Sequence, residues 1–354
     1  MKNSKIIMFV VLLIILLLTA CSYNNAPDNS FTPSDKSTGI IYLYGERHGV
    51  EKILEKELEI WGEYYNKNNM RRLFIEYPYY TAELLNLWMR SDNDDIFDEI
   101  YNDLEGTQGH NPNVKEFYMR IKSLYPETVF HGTDVGHQHE TTGQRALKYL
   151  KENNLENSEQ YLLTQKAIEQ GVYYYKHSND AYRENKMAEN FVSEFDKLKG
   201  ENVMGIYGGA HTDFGDMEYM TNSVPNMASQ LKERYGDNIF SENLSSLANE
   251  PIRTDTITIN QKNYEALYFG KQDLKGFKDF VSWEFWRLEN AYDDFKDNKK
   301  IDSVIPYNQY PIHIEEGQVF VVDYTKTDGS VNRVYYRSNG RVWNGRKSTE
   351  EFDI

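Results

Sequence analysis

The chain has 354 residues, with 55 Asp plus Glu against 39 Lys plus Arg and a net charge of −16. That balance argues against nucleic acid as a partner, since such binding rests on clustered basic side chains that neutralise phosphates. A mean hydropathy of −0.72 excludes a polytopic membrane protein, and 14% aromatic residues exclude a wholly disordered chain.

The amino terminus reads as an address. Lys2 and Lys5 precede an unbroken apolar run from Ile6 to Leu18, followed by Thr19, Ala20 and Cys21. Charge, apolar stretch and small residues in that order make a secretory signal, and the run is too short to span a bilayer. Cys21 is the chain's single Cys, so no intrachain disulfide or thiolate metal cluster can form. Leu18-Thr19-Ala20-Cys21 resembles the bacterial lipobox, which implies cleavage after residue 20 and a lipid (palmitate among the acyl chains) on Cys21. The expectation is a protein anchored to the cell membrane by that lipid and facing outside the cytoplasm. Losing Lys2 and Lys5 makes the mature chain still more negative, so the lipid and not the protein surface would hold it at anionic headgroups. Residues 21–38 are rich in Pro, Asn and Ser and read as a flexible tether.

From residue 39 the pattern alternates strand and helix. Ile40–Tyr44, Leu73–Ile75, Thr128–Gly132 and Asn202–Tyr207 are short apolar runs that predict buried strands. Helical spacing falls between them, over Val50–Asn69, Thr81–Met89, Val114–Leu124, two or three helices in 142–199, and Asn226–Tyr235. Asp92–Asn113 reads as an acidic insertion with a short helix. This alternation predicts an α/β domain over 39–250 with a largely parallel central sheet flanked by helices. Residues 251–354 differ. Thr254–Ile259 and Tyr264–Phe269 could pair, Val281–Tyr292 suggests a helix, and Gly317–Tyr324 with Asn332–Tyr336 predicts a hairpin turning at Asp328-Gly329. The expectation is a C-terminal α+β extension with exposed aromatics Tyr335, Tyr336 and Trp343.

Chemistry collects where the four strands end. The tips are Gly45-Glu46-Arg47-His48, Glu76-Tyr77-Pro78, Gly132-Thr133-Asp134 and Gly208-Gly209-Ala210-His211. In a parallel sheet all four open on one edge, where ligands bind. A lone His after a strand is more often a surface or hydrogen-bonded residue; four polar tips in register are harder to assign to chance. Neutral His with a carboxylate suits a divalent metal carrying a water. Without metal, the same pair serves as a general base on water. The chain has no G-x-S-x-G motif, which makes direct attack by water the simpler reading. His137 and His139 could be extra ligands near Asp134 but read rather as a solvated loop, His110 reads as a loop residue and His313 as exposed or on a strand; His177 beside Tyr173–Tyr175 could be a haem contact, although such an aromatic stripe on a helix reads rather as core.

These four tips, with the helix Tyr182-Arg183-Glu184-Asn185-Lys186-Met187-Ala188-Glu189-Asn190, resemble the superfamily joining Tiki/TraB proteins, erythromycin esterase-like hydrolases and ChaN-like haem-binding lipoproteins. The likeness spans residues 40 to about 235. It implies different chemistry by branch. The Tiki-like branch implies a metallopeptidase with Mn, Co or Zn on His48, His211 and Glu76. The esterase-like branch implies water activated by His48 and Glu76 without metal. The ChaN-like branch implies a lipoprotein that binds haem or another ligand and does not catalyse. Arg183 is then an anion contact or a partner for Glu46 or Asp134, and a homodimer is the common state of the relatives. The substrate is a small molecule or a peptide.

Overall fold

The computed structural model describes residues 39–274, 279–301, 312, 314–343 and 346–354. The signal, Cys21, the tether and His313 lie outside the described residues. Among the described residues no helix is long and apolar enough to cross a membrane.

Strands β1 (Ile41–Glu46), β2 (Arg72–Pro78), β3 (Val129–Asp134), β4 (Val203–Gly208) and β5 (Ile239–Asn243) form one sheet in the order β3-β2-β4-β1-β5. Every pairing in it is parallel. The connections are helical: α1 (Glu51–Lys67), α2 (Tyr79–Met89), α3 (Asp95–Asp103), α4 (Pro112–Leu124), α5 (Thr142–Glu152), α6 (Glu159–His177), α7 (Asp180–Phe195) and α8 (Met227–Tyr235). Alternate side chains of each strand feed two cores, as the period of two requires. On one face Leu73, Ile75, Phe130, Met204 and Ile206 meet α1, α2 and α4. On the other Leu43, Phe74, Val203, Tyr207 and Ile239 meet Met187, Phe191 and Phe195 of α7 and Met227 and Leu231 of α8. β4 is buried along its whole length because helices cover both faces.

The edge strand β5 escaped sequence reading. Its run Ile239-Phe240-Ser241-Glu242-Asn243 has only two apolar residues, and one of them, Phe240, is exposed. The parallel α/β class stands.

The C-terminal extension is almost wholly β. β6 (Arg253–Ile259), β7 (Lys262–Asp273), β8 (Phe280–Leu288), β9 (Val319–Lys326), β10 (Val331–Arg337) and β13 (Glu350–Glu351) form an antiparallel sheet in the order β13-β10-β9-β8-β7-β6. A two-stranded ladder joins β11 (Val342–Trp343) to β12 (Arg346–Lys347), and one short helix, α9 (Tyr292–Phe295), follows β8. The expected helix over 281–292 is therefore a strand. Trp283 and Phe285 fall on one face of the sheet, and Trp286 and Leu288 on the other. Two covered faces erase the alternation that marks a strand, and pairing with β7 and β9 overrides the local pattern. The β9–β10 hairpin turns at Asp328-Gly329 as expected, with Gly329 at φ +81°. Tyr336 is buried rather than exposed.

Candidate active site

Register aligns the strand tips. Glu46 of β1 lies opposite Gly208 of β4, and Pro78 of β2 opposite Asp134 of β3. After β1 the chain turns through His48 and Gly49, whose φ of +75° reverses it before α1 begins. This turn brings the His48 ring back over its own strand. Its Nδ1 lies 2.7 Å from Oε1 of Glu46, and its Nε2 lies 3.9 Å from Oε2 of Glu76. At 36% side-chain exposure, His48 is open to whatever enters from solvent.

Arg183 ties the other tips together. It stands in the first turn of α7, whose N-cap Asn179 accepts from the Tyr182 amide. Below it Met187, Ala188 and Phe191 press into the core at helical spacing, so the helix cannot roll. The guanidinium donates through Nε to Oδ1 of Asp134 at 3.0 Å and through Nη2 to Oδ2 of Asp134 at 2.6 Å and to Glu76. Oε2 of Glu76 accepts from the Gly208 amide, which fixes the carboxylate between β2 and β4. On the same helix, Asn190 donates to the carbonyl oxygen of Thr133 and to Gln170.

His211 is buried behind this layer. Its Nδ1 is 2.7 Å from Oε2 of Glu184, and its Nε2 is 3.5 Å from Oε1 of Glu76 and 3.4 Å from Nη1 of Arg183. The other Glu184 oxygen accepts from the Met227 amide and so caps α8. His211 is not among the residues that line the pocket, and its ring contacts run to Glu184, Glu76 and Arg183.

The charges decide the protonation states. Burial acts to lower the His48 pKa, but Glu46, by its charge and hydrogen bond, and Glu76 raise it to about 9. Burial acts to raise Glu76, yet His211, Arg183 and His48 hold it down at about 2. Burial also works against Asp134, which Arg183 and His137 keep far below the usual carboxylate range. His211 is raised: burial opposes its charge, and Glu76 and Glu184 outweigh burial. Near neutral pH the site therefore holds an imidazolium at His48 and ionised carboxylates at Glu76 and Asp134.

All six expected site residues, Glu46, His48, Glu76, Asp134, Arg183 and His211, come together. Their arrangement does not suit a metal. The three expected ligands do converge, but Arg183 stands among them, bonded to Glu76 and 3.4 Å from His211 Nε2. A divalent ion there would meet a fixed cation and compete for the same carboxylate. Among the described residues no group of three or more His, Cys, Asp or Glu side chains is placed to hold a metal ion.

Two further corrections concern residues set aside from sequence. His137 belongs to the site: its Nε2 lies 2.9 Å from Oδ2 of Asp134, and its Nδ1 meets the Tyr175 hydroxyl. Tyr173 and Tyr175 are exposed on α6 rather than core, and Tyr175 forms part of the pocket wall. His110 lies in a loop as expected, buried there and stacked on Tyr101 at 4.2 Å.

The pocket over these tips has a volume of about 330 Å³. His48, Glu76, Asp134, His137 and Arg183 stand on its polar side, with Leu54, Ile75, Phe117, Tyr118 and Ile206 on its apolar side. It also reaches Glu57 of α1, which sequence reading passed over. Glu57 interrupts the buried stripe Ile53, Leu54, Leu58, Trp61 at a core-facing position, and that interruption was the available signal.

No family model matches this chain, and no curated protein matches it. Among solved structures it is similar to a protein from Bacillus cereus, at 12% identity over 58% of this chain and 65% of that one, with a TM-score of 0.41. It is similar to an erythromycin esterase mutant in its open conformation, at 9% identity over 65% of this chain and 76% of that one, with a TM-score of 0.43. It is also similar to ChaN of Campylobacter jejuni, described with cofacial haem, at 12% identity over 57% of this chain and 80% of that one, with a TM-score of 0.31. The chain spans 65% of the length of the first of these.

Proposed function

We propose that this protein is a metal-independent hydrolase of the esterase type, in which His48 activates water against an ester or lactone carbonyl. The observation that carries this reading is the pair of contacts on one imidazole: Glu46 at Nδ1, and an open Nε2 facing Glu76 across 3.9 Å at the pocket wall. A carboxylate on Nδ1 fixes the tautomer and aims the other nitrogen at a substrate.

In this reading neutral His48 takes a proton from water at Nε2, and the water oxygen bonds to the acyl carbon. The carbonyl oxygen becomes an oxyanion, for which Arg183 is the cation at the pocket. Glu76 and Asp134 hold Arg183 in place, and His211 braces Glu76 from behind. Collapse expels the alkoxide, which takes the proton back from His48. Glu76, held at about 2, is too weak a base for the proton transfer itself, and it serves as an electrostatic partner for the imidazolium.

The same reading places the protein at the outer face of a membrane, held by lipid on Cys21, with the 21–38 tether as the reach between anchor and domain. The support for this lies in the lipobox-like Leu18-Thr19-Ala20-Cys21 alone. Haem capture fits the pocket less well, because Glu46, Glu57, Glu76 and Asp134 are among its lining residues and a haem face needs apolar cover. Hydrolysis of a panel of 4-nitrophenyl esters and aryl lactones tests the proposal. Wild type should turn over members of the panel and His48→Ala should not. Haem binding with a shifted Soret band, and no turnover of any ester or lactone, would overturn it.

A further inference from the structure

The loop between β4 and α8 reverses the usual order of inside and outside. Residues 214–220 carry four large apolar side chains, Phe214, Met217, Tyr219 and Met220, each between 40% and 60% exposed. Glu218, in the middle of them, is only 1% exposed. Its carboxylate accepts from the amides of Met220 and Thr221 and from the Thr221 hydroxyl. Met217 bridges to Pro225 across the loop, and the Glu218 amide donates to the Val224 carbonyl oxygen at 2.8 Å. At the base, Asn226 donates to the carbonyl oxygen of Asp213. The loop's own polar groups thus fix its shape, and that shape turns the apolar side chains to water. Scattered exposed apolar residues are ordinary, but four within seven residues make a patch, which marks an interaction site.

We propose that this loop docks on the bilayer to which the chain is anchored, with its apolar side chains entering the boundary between headgroups and acyl chains. Tyr219 suits that depth, because its ring is apolar and its tip polar. Met217, Met220 and Phe214 bring the apolar area that drives such a contact. Phosphate attraction plays no part. Residues 212–226 include Asp213, Asp216 and Glu218 and no Lys or Arg. The nearby Lys232, 5.5 Å from the Phe214 ring centroid, pairs with Asp237. The occupant is therefore an uncharged or zwitterionic lipid surface.

The length of chain before the domain permits this. Residues 22–38 join Cys21 to Gly39 and span up to about 60 Å when extended. β1 and β4 run parallel, so Gly39 before β1 and the loop after β4 lie at opposite edges of the sheet. The strands between those edges are about 20 Å long, well within that span. The anchor also keeps the bilayer at high local concentration, so a contact too weak to hold a free protein becomes populated. A soluble partner has no such advantage. The proposal goes beyond the hydrolase reading and rests only on the anchoring.

The test is photo-crosslinking to lipid, which needs no turnover. The full-length chain is reconstituted in phosphatidylcholine vesicles that contain a phospholipid with a diazirine in its acyl chain. After irradiation the lipid adducts are mapped by peptide. Wild type should carry adducts on the anchor segment before residue 39 and on residues 212–226. Met217→Gln combined with Met220→Gln should lower the adduct yield on 212–226 at least about tenfold. The anchor adducts and the thermal midpoint should stay as in wild type, because both side chains are exposed. Adding phosphatidylglycerol should not raise the yield on the loop. Adducts confined to the anchor segment, a loop yield that the double variant keeps, or a loop yield that requires phosphatidylglycerol would overturn the docking and leave the anchor. Release of the chain from the vesicles with no adduct anywhere would overturn both. A dimer in detergent that the double variant loses, with no lipid adduct on the loop, would overturn the docking in favour of an interface between copies.

Discussion

Nδ1 of His48 lies 2.7 Å from Oε1 of Glu46, two residues earlier on the same strand tip. This contact sets both the aim of the ring and its proton affinity, because Glu46 is the largest of the groups that raise the His48 pKa to about 9. A base must be neutral to work, so kcat/KM should climb with pH from about 7 to about 9 and level off above. Glu46→Gln removes the raising charge, and the inflection should move down by at least about one unit. A pH–rate profile of both proteins checks this. The linked stability has the opposite slope. A His whose folded pKa exceeds its unfolded value stabilises at low pH, and that gain is lost between about 6.5 and about 9.

Gly208 separates the two reactive groups by having no side chain. A Cβ there would lie 3.1 Å from Nε2 of His48 and 3.3 Å from Oε2 of Glu76. Its φ of −53° suits any residue, so the backbone should tolerate Ala. Gly208→Ala should fold with a thermal midpoint near that of wild type and lose about 10- to 100-fold in kcat, since small misplacements of catalytic groups carry costs of that order. Parallel melting curves and turnover measurements separate the two effects.

Arg183 bonds to both Glu76 and Asp134, and Asp134 is only 1% exposed. Arg183→Met leaves two buried carboxylates without it and should cost about 3–5 kcal/mol at pH 7. The sign of the pH dependence follows from the lowered carboxylate pKa values. In wild type their contribution is present above the unfolded carboxylate pKa and fades as pH falls toward about 2. In the variant the same groups take up protons earlier, so the gap between the two proteins should shrink from pH 7 to pH 4. Urea unfolding at both pH values measures it.

The strand tips were legible because a parallel sheet puts them on one edge, and Gly45, Gly132 and Gly209 beside them stand where neighbouring chain approaches closely. Arg183 was legible from its motif, and Asp134 was one of the two carboxylate partners open to it, Glu46 being the other. Glu184, which holds His211 and caps α8, stood inside the same motif, but nothing local told its buried side from an exposed one. His137 was weighed as a ligand near Asp134 and set aside as a solvated loop, because its second partner, Tyr175, comes from a helix 38 residues away. Glu57 left a readable trace as a charge in an apolar stripe. The strand β8 was misread as a helix because both its faces are buried, and only its neighbours β7 and β9 reveal its period.

The central claim is that water is activated by His48 and not by a metal ion. The most direct measurement is kcat/KM for the best ester of the panel after exhaustive chelation, with His48→Ala in parallel. The account predicts that chelated wild type keeps its full rate and that His48→Ala loses about 10²- to 10⁴-fold while remaining folded. Activity abolished by chelation and restored by Mn²⁺, Co²⁺ or Zn²⁺, or a His48→Ala variant as fast as wild type, would contradict it.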